Sequence, residues 1–505
     1  MFNVITADMI KALPPIDGVD AERLPQLLSK VYAHILGLKT KYGQGEIPFV
    51  AEELDKDYRM LRKLAFALEL YLESEKYEDY LRPIAYVAAM AHKMLGKMEQ
   101  MPTQSLTIDS VPSDVSAALL FVIGGYFADA EEMAQAIKPR DEDSLAKKQL
   151  IQFVCLLTKG HLNEIIEAKG VEPQRDTLET LAEDLMWGHL SMGLRVLAAS
   201  LLGRTHDDYR PFFYKVQELS IYVDEETEFR YAYTGTFRLS RLLIRAAEML
   251  MNHSVVNNVA RYLTSTEHLD VLYNIANARP YLWDNHLDAI NNGFLEFGTS
   301  SVITFPTGAG KSTLVELKVM QAVKNGGKVV YIVPTHALES QAKDNMARLF
   351  GLDSYEDLQI GREFTFMEED DDMPVMVMTP ERCSTLLTLH PDIFEGVSLV
   401  MMDEFHIISS GDHRSLGAMF CLISLLSLVP EADYVLVSAM VENGNEISGW
   451  ISEVTGRRCL NLSMPWKPTS QLQGCVVYQE NEVKELLQLC KTDKKARREQ
   501  GKKSP

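Results

Sequence analysis

Apolar positions along the first 275 residues recur at three- and four-residue spacing, with almost no β-branched alternation. Met60, Leu61, Leu64, Ala67, Leu68 and Tyr71 line one face of a helix. Leu178, Leu181, Leu185, Leu190, Leu194 and Leu197 mark a second, and Leu239, Leu242, Leu243, Ala246 and Met249 a third. Turn signals at Lys138-Pro139, Lys159-Gly160 and Gly203 separate such stretches, which predicts roughly ten helices. No fixed period links them, so the pattern predicts an irregular all-helical domain over 1–275 and not a regular solenoid.

From about residue 299 the pattern changes. Short continuous apolar runs stand at 301–305, 329–333, 375–378, 399–402 and 434–437, most of them followed by a longer amphipathic stretch. Unbroken apolarity implies strands buried on both faces, hence a parallel sheet covered by helices. Right-handed crossovers would wind these units into an open α/β sheet within 280–480, leaving a tail over 481–505.

A chain of 505 residues has room for two to four domains. With 46% hydrophobic and 24% charged residues it is not collagen-like, coiled-coil or wholly disordered. No window approaches the ~18 uninterrupted apolar residues of a membrane span. The N-terminal MFNVITADMIK lacks a basic stretch followed by an apolar one, so a cytoplasmic protein without a secretory signal is expected. The net charge of −21 is opposite to that of a protein that coats nucleic acid, so any such contact must be a local groove working against the global field. The six cysteines include no C-x-x-C pair and fit neither a zinc site nor a disulfide framework. The acidic run 368–372 reads as a solvated loop. The stretch 491–505, with seven Lys/Arg against two acids, reads as a disordered end that could instead touch a nucleic-acid backbone.

The chemistry lies where the predicted strands end. Phe305, Pro306, Thr307, Gly308, Ala309, Gly310, Lys311, Ser312 and Thr313 spell a phosphate-binding loop between a strand and a helix. Glycines at 308 and 310 let backbone N–H groups curl around phosphates. Lys311 would place an ammonium near the β- and γ-phosphates, the Ser312 hydroxyl would ligate Mg2+, and the helix beginning near Lys311 would aim its positive end at the same anion. Phe305 replaces the first glycine of the strict pattern. About ninety residues on, Leu399 to Met402 form a strand that ends in Asp403 and Glu404. Asp403 suits a magnesium ligand and Glu404 a group that orients and activates the attacking water. His406 has no second His or Cys at ligand spacing and reads as a polar coupler near the γ-phosphate. Thr335, Thr379 with Arg382, and Ser438 follow three further strands. Ligands gather outside the carboxyl ends of strands in open α/β sheets, although a Thr or Ser there also serves as an ordinary helix N-cap.

In that order these segments resemble the superfamily 2 DExH-type helicases. FPTGAGKS is similar to motif I, VPTHAL to Ia, MTPER to Ib, DEFH to II and SAM to III. Residues 446–451 and the PWKP at 465–468 resemble the region after motif III in the ski-like and archaeal repair-helicase branch. The resemblance spans roughly 280–480 and implies a RecA-like domain that uses ATP and Mg2+ on single-stranded or partly duplex nucleic acid. Thr335, Thr379 and Arg382 would then face the nucleic-acid backbone, and Ser438 would link His406 to strand tracking. The helical N-terminal part lies outside the family core. Similar extensions occur in anti-phage defence helicases of the Hachiman type, and a protein partner for this part is expected.

Three departures stand out. His286 occupies the place of an adenine-reading glutamine, SAM replaces SAT, and 27 residues beyond Tyr478 leave no room for a second α/β domain with motifs IV to VI. Two readings follow. One is the ATP-binding part of a helicase or translocase, weakly active or inactive as this chain alone. The other is a nucleotide-sensing scaffold or partner-binding module without efficient turnover. A different P-loop ATPase, a transporter or remodelling engine, lacks its signatures here.

Overall fold

The computed structural model describes residues 20–43, 51–101, 110–173, 177–223, 230–263, 269–355, 374–409, 413–439, 441–464 and 483–484. The acidic run 368–372, Met440, the 465–468 element and the basic tail 491–505 lie outside these. The described residues from 20 to 464 belong to one compact unit.

The helical part is built from packed helices of very different length, among them Ala51–Tyr71, Leu81–Glu99, Ser113–Ile123, Leu145–Lys159, Leu178–Leu201 and Thr234–Asn252. Their ends follow local chemistry. Ser144 accepts from Lys147 N at the start of one helix, and Gly160 closes that helix at a φ of 77°, a left-handed turn a side chain would strain. Leu190, Leu194 and Leu197 are fully buried, each worth about 2 kcal/mol of transfer free energy. Inside this core the Glu69 carboxylate accepts from Arg238 at 2.7 and 2.8 Å and lies 2.6 Å from His92. Burial opposes its charge, but Arg238 and His92 outweigh it and hold the carboxyl down at about 2. The helix Thr234–Asn252 is thereby tied to Ala51–Tyr71 and Leu81–Glu99, more than 130 residues earlier in the chain. Against the all-helical expectation, a two-stranded antiparallel hairpin, β1 (Ile221–Val223) and β2 (Arg230–Ala232), sits among them.

Six further strands form one parallel sheet: β3 (Thr299–Ile303), β4 (Lys328–Ile332), β5 (Val375–Met378), β6 (Val397–Met402), β7 (Asp433–Val437) and β8 (Arg458–Leu462). Their spatial order is β5-β4-β6-β7-β3-β8. The first five match the apolar runs to within two residues at each end. β8, RCLNL, was not expected, because it is a half-exposed edge strand with polar residues among apolar ones. The core of this sheet also takes in Val255, Val259, Val271, Leu272 and Ile275, from helices that precede the strands. This is the RecA-like α/β architecture, with a large helical region before it. No helix among the described residues is long and apolar enough to cross a membrane.

Candidate nucleotide site

β3 runs into the loop 304–310, and the helix Lys311–Lys324 follows at once. Gly308 and Gly310 adopt φ of 81° and 74°, the left-handed region that turns their N–H groups inward. A Cβ on Gly308 would meet nothing within 4 Å, so the loop stays open on that side. A Cβ on Gly310 would lie 2.5 Å from His286 Nε2, so that glycine is also required by packing. Lys311 Nζ donates to Phe305 O at 3.2 Å, inside its own loop. Burial lowers the Lys311 pKa, while the charges of Glu404 and Asp403 pull it back up. The parallel strands β3 and β6, one on each side of β7, put the lysine and both carboxylates on the same rim of the sheet.

β6 delivers the acids. Asp403 N donates to Ile332 O at 2.9 Å, which extends the strand by one bond. Glu404 N then donates to Asp403 Oδ1 at 2.9 Å, and Tyr331 Oη to Oδ2 at 3.4 Å. Burial pushes the Asp403 pKa up and the Glu404 charge adds to this, against the Glu404 N–H, Lys311 and Tyr331. His406 Nδ1 lies 3.2 Å from Glu404 Oε2 and 3.4 Å from Ser438 Oγ. Ser438 is buried at the end of β7, its N–H on Ile303 O at 2.9 Å. β7 lies between β3 and β6, so Ser438 stands between the loop and the acids. An acid pair, a lysine and a glycine-lined loop opening a helix form a donor set that suits a magnesium-bound nucleoside triphosphate. Gly308, Gly310 and Lys311 would hold its phosphates, with Ser312 and Asp403 on the magnesium, which would neutralise charge on the transferred phosphate.

The remaining expected residues are placed as follows. Thr335 caps the helix His336–Phe350, accepting from Leu338 N at 3.3 Å, and buried Thr379 caps Pro380–Leu389, accepting from Arg382 N. Arg382 Nη1 is 3.8 Å from buried Glu339, which also binds His336 and Lys343 at 3.0 Å each. The Thr313 hydroxyl accepts from Arg279 at 3.0 Å, on the side of the preceding chain.

Motif reading missed three participants, Asn285, Arg279 and Tyr331, and did not foresee what His286 does. Asn285 Nδ2 donates to Ala309 O at 2.6 Å, and His286 Nε2 donates to Gly310 O at 3.0 Å while its Nδ1 accepts from Trp283 N at 3.1 Å. His286, the residue that departs from the family's adenine-reading glutamine, is therefore a brace for the loop, buried and with both nitrogens engaged. Arg279 and Tyr331 complete the set. For Asn285 and His286 the signal in the sequence was the run WDNH, which contains neither Arg279 nor Tyr331.

Residues 285–446 match the family described as DEAD/DEAH box helicase. Over 162 residues the chain is 33% identical to the protein named "Probable helicase HelY" of Mycobacterium tuberculosis, a stretch covering 32% of this chain and 17% of that one. It is 26% identical over 200 residues to the ATP-dependent DNA helicase Hel308 of Methanocella arvoryzae, covering 39% and 26%. It is 25% identical over 202 residues to the Hachiman protein HamB of Bacillus cereus, covering 38% and 17%. The chain carries a DEAD/DEAH box helicase domain, in agreement with the superfamily 2 resemblance of its motifs. It spans 26% or less of the length of each of these relatives.

Proposed function

We propose that this chain supplies the ATP-binding motor domain of a superfamily 2 helicase or translocase. The observation that carries this reading is that the glycine loop with Lys311 and the Asp403–Glu404 pair follow β3 and β6, the two parallel strands that flank β7, and so stand on the same rim of the sheet. Lys311 and the loop amides bind the triphosphate, Asp403 and Ser312 hold Mg2+, and Glu404 takes the proton of the attacking water. His406 and Ser438 relay the state of that site across β7. Thr335 and Arg382 stand beyond neighbouring strands and meet the backbone of single-stranded or partly duplex nucleic acid, while buried Thr379 caps the helix that carries Arg382. Efficient turnover awaits an arginine from a second motor domain, a contribution worth about 10³ to 10⁵ in rate in related nucleotide hydrolases. Similarity to HamB supports a role in antiviral defence, with the helical region 1–275 as the surface for a protein partner.

The test is direct. The full chain should bind Mg-ATP, and Lys311→Ala should weaken that binding at least about tenfold, since it removes a charged hydrogen bond to phosphate. Equal affinity in the two proteins would remove the nucleotide site. For residues 1–505 alone, nucleic acid should barely stimulate hydrolysis; without any nucleotide turnover even beside a complete motor, the scaffold reading would take its place.

A further inference from the structure

The segment between the helical region and β3 touches the loop and the helical region at once. Pro280 O accepts from Val255 N at 3.0 Å, Leu282 N donates to His253 O at 2.7 Å, and Tyr281 forms an antiparallel bridge with Ser254. The Tyr281 hydroxyl donates to Leu157 O at 2.8 Å and its ring stacks on Phe127. Asp284, first residue of the helix Asp284–Asn291, receives two bonds from the Arg82 guanidinium, at 2.8 and 2.5 Å, and has His253 Nε2 3.3 Å away. The next two side chains, Asn285 and His286, hold the carbonyls of Ala309 and Gly310. Consecutive residues of one short helix therefore carry a grip by the helical region and a grip on the phosphate loop.

We propose that Arg82 is a positioning residue for nucleotide, acting through Asp284: the helical region sets the affinity of the phosphate loop. The inference rests on the nucleotide-site reading above. Its physical basis is geometric. Bidentate Arg–carboxylate pairs fix orientation as well as distance, and an eight-residue helix pinned at its first residue cannot rotate without withdrawing Asn285 and His286. Loop carbonyls left without donors would turn, and the adjoining N–H groups that must face phosphate would turn with them. Arg279 adds a second link in the same segment, since its guanidinium bonds Thr313 on the helix that begins in the loop. Linkage makes the effect reciprocal, so nucleotide must tighten the docking of the helical region by the factor that docking tightens nucleotide. A partner or strand that pulls Arg82 away from Asp284 would release nucleotide, which makes the contact a route for regulation.

The experiment compares binding of Mg-AMP-PNP by the full chain, Arg82→Asp, the charge-swapped Arg82→Asp/Asp284→Arg pair, and Lys311→Ala as control. Arg82→Asp should weaken binding about tenfold, within the usual range of coupling between sites, and the swapped pair should recover most of the loss. Wild-type affinity in Arg82→Asp, with binding lost in Lys311→Ala, would overturn the inference and leave the site intact. Indifference to Lys311→Ala would remove the site itself. Should Arg82→Asp fail to fold, hydrogen exchange on the unaltered chain decides the matter. Mg-AMP-PNP should slow exchange in peptides around Arg82 and His253; protection confined to the loop and its helix would overturn the proposal.

Discussion

Glu404 donates its backbone N–H to the carboxylate of its own neighbour, Asp403, at 2.9 Å, and does so at a φ of 49°. Among the described residues it is the one non-glycine position with a left-handed backbone. That conformation costs about 1–2 kcal/mol for an L-residue. It turns the chain sharply after β6, so that the Glu404 side chain reaches His406 and does not continue along the strand. Strain concentrated at such a carboxylate indicates a residue whose direction matters more than its comfort. Glu404→Gln keeps the shape and removes the base. We expect Mg-ATP affinity within about threefold of the unaltered chain, with turnover beside a complete motor down by about 10² or more. Phosphate release and nucleotide affinity, measured separately, check this; parallel losses in both would mean that Glu404 binds and does not catalyse.

Asp403 is expected to trade stability for magnesium. Burial raises its folded pKa, so the folded chain holds this proton more tightly than the unfolded chain does. The corresponding stability is present below the ordinary carboxylate range and is lost as pH rises through the raised value. At neutral pH the ionised carboxylate is thus a cost of the nucleotide-free fold, offset when a divalent cation arrives. Asp403→Asn should raise the melting temperature of the nucleotide-free chain and abolish the Mg2+ dependence of nucleotide binding. A lower melting temperature together with retained Mg2+ dependence would contradict this account.

Much of this site was legible in the residues alone, and the reason is chemical. Phosphate loops need glycines where φ turns positive and a lysine beside them, and the carboxylates must end a strand, so the residue types are few and their order is constrained. The central strands were legible because burial on both faces leaves no polar position to break the run, as in Val329 to Ile332. The same criterion is blind to β8 at the sheet edge, where Arg458 and Asn461 interrupt the apolar pattern. Helical register misled in two helices: Met60, placed on the apolar face with Leu61 and Leu64, is 51% exposed. Leu178 is 85% exposed and Leu185 51%, whereas Leu190, Leu194 and Leu197 are buried, because the five-residue step from 185 to 190 moves the stripe around the helix. Asn285 and His286 were not legible as braces. Their partners lie 24 residues away, and only the packing of one short helix against the loop brings them together.

His286 makes the loop sensitive to acid. Burial drives its pKa from an ordinary 6.5 to about 4, the Arg279 charge works in the same direction, and the Gly310 and Ala309 backbone bonds oppose both only in part. Its Nδ1 accepts from Trp283 N, so a second ring proton would face that N–H head-on. A histidine held neutral contributes stability that is complete above 6.5 and is lost as pH falls from 6.5 toward 4, about 3 kcal/mol in all. His286→Gln retains a donor for Gly310 O without titrating. Melting curves of the two proteins should converge as pH falls through that window; a constant difference from pH 7 to pH 4 would place the acid sensitivity elsewhere.

The helix that begins in the phosphate loop is anchored at its far side by an ion pair inside the core. Lys318, only 1% exposed, donates to the carbonyls of Phe294 and Glu296 at 3.0 Å each and pairs with Asp433 at 3.1 Å. Asp433 opens β7, the strand that ends at Ser438, and its other oxygen meets Arg457 at 3.1 Å. One buried cation therefore ties the loop's helix to the strand standing between the two halves of the site. Lys318→Met matches the length but takes the donor from three carbonyls, Thr299 O at 3.4 Å being the third, and leaves Asp433 with Arg457 as its cation. Breaking one side of such a pair costs about 3–5 kcal/mol, because the remaining charge stays buried. Denaturant unfolding should show that loss, and adding Asp433→Asn should return part of it, since the stranded charge is then gone. A loss below about 1 kcal/mol in Lys318→Met would mean that Arg457 alone satisfies Asp433 and that the loop's helix is held by apolar packing.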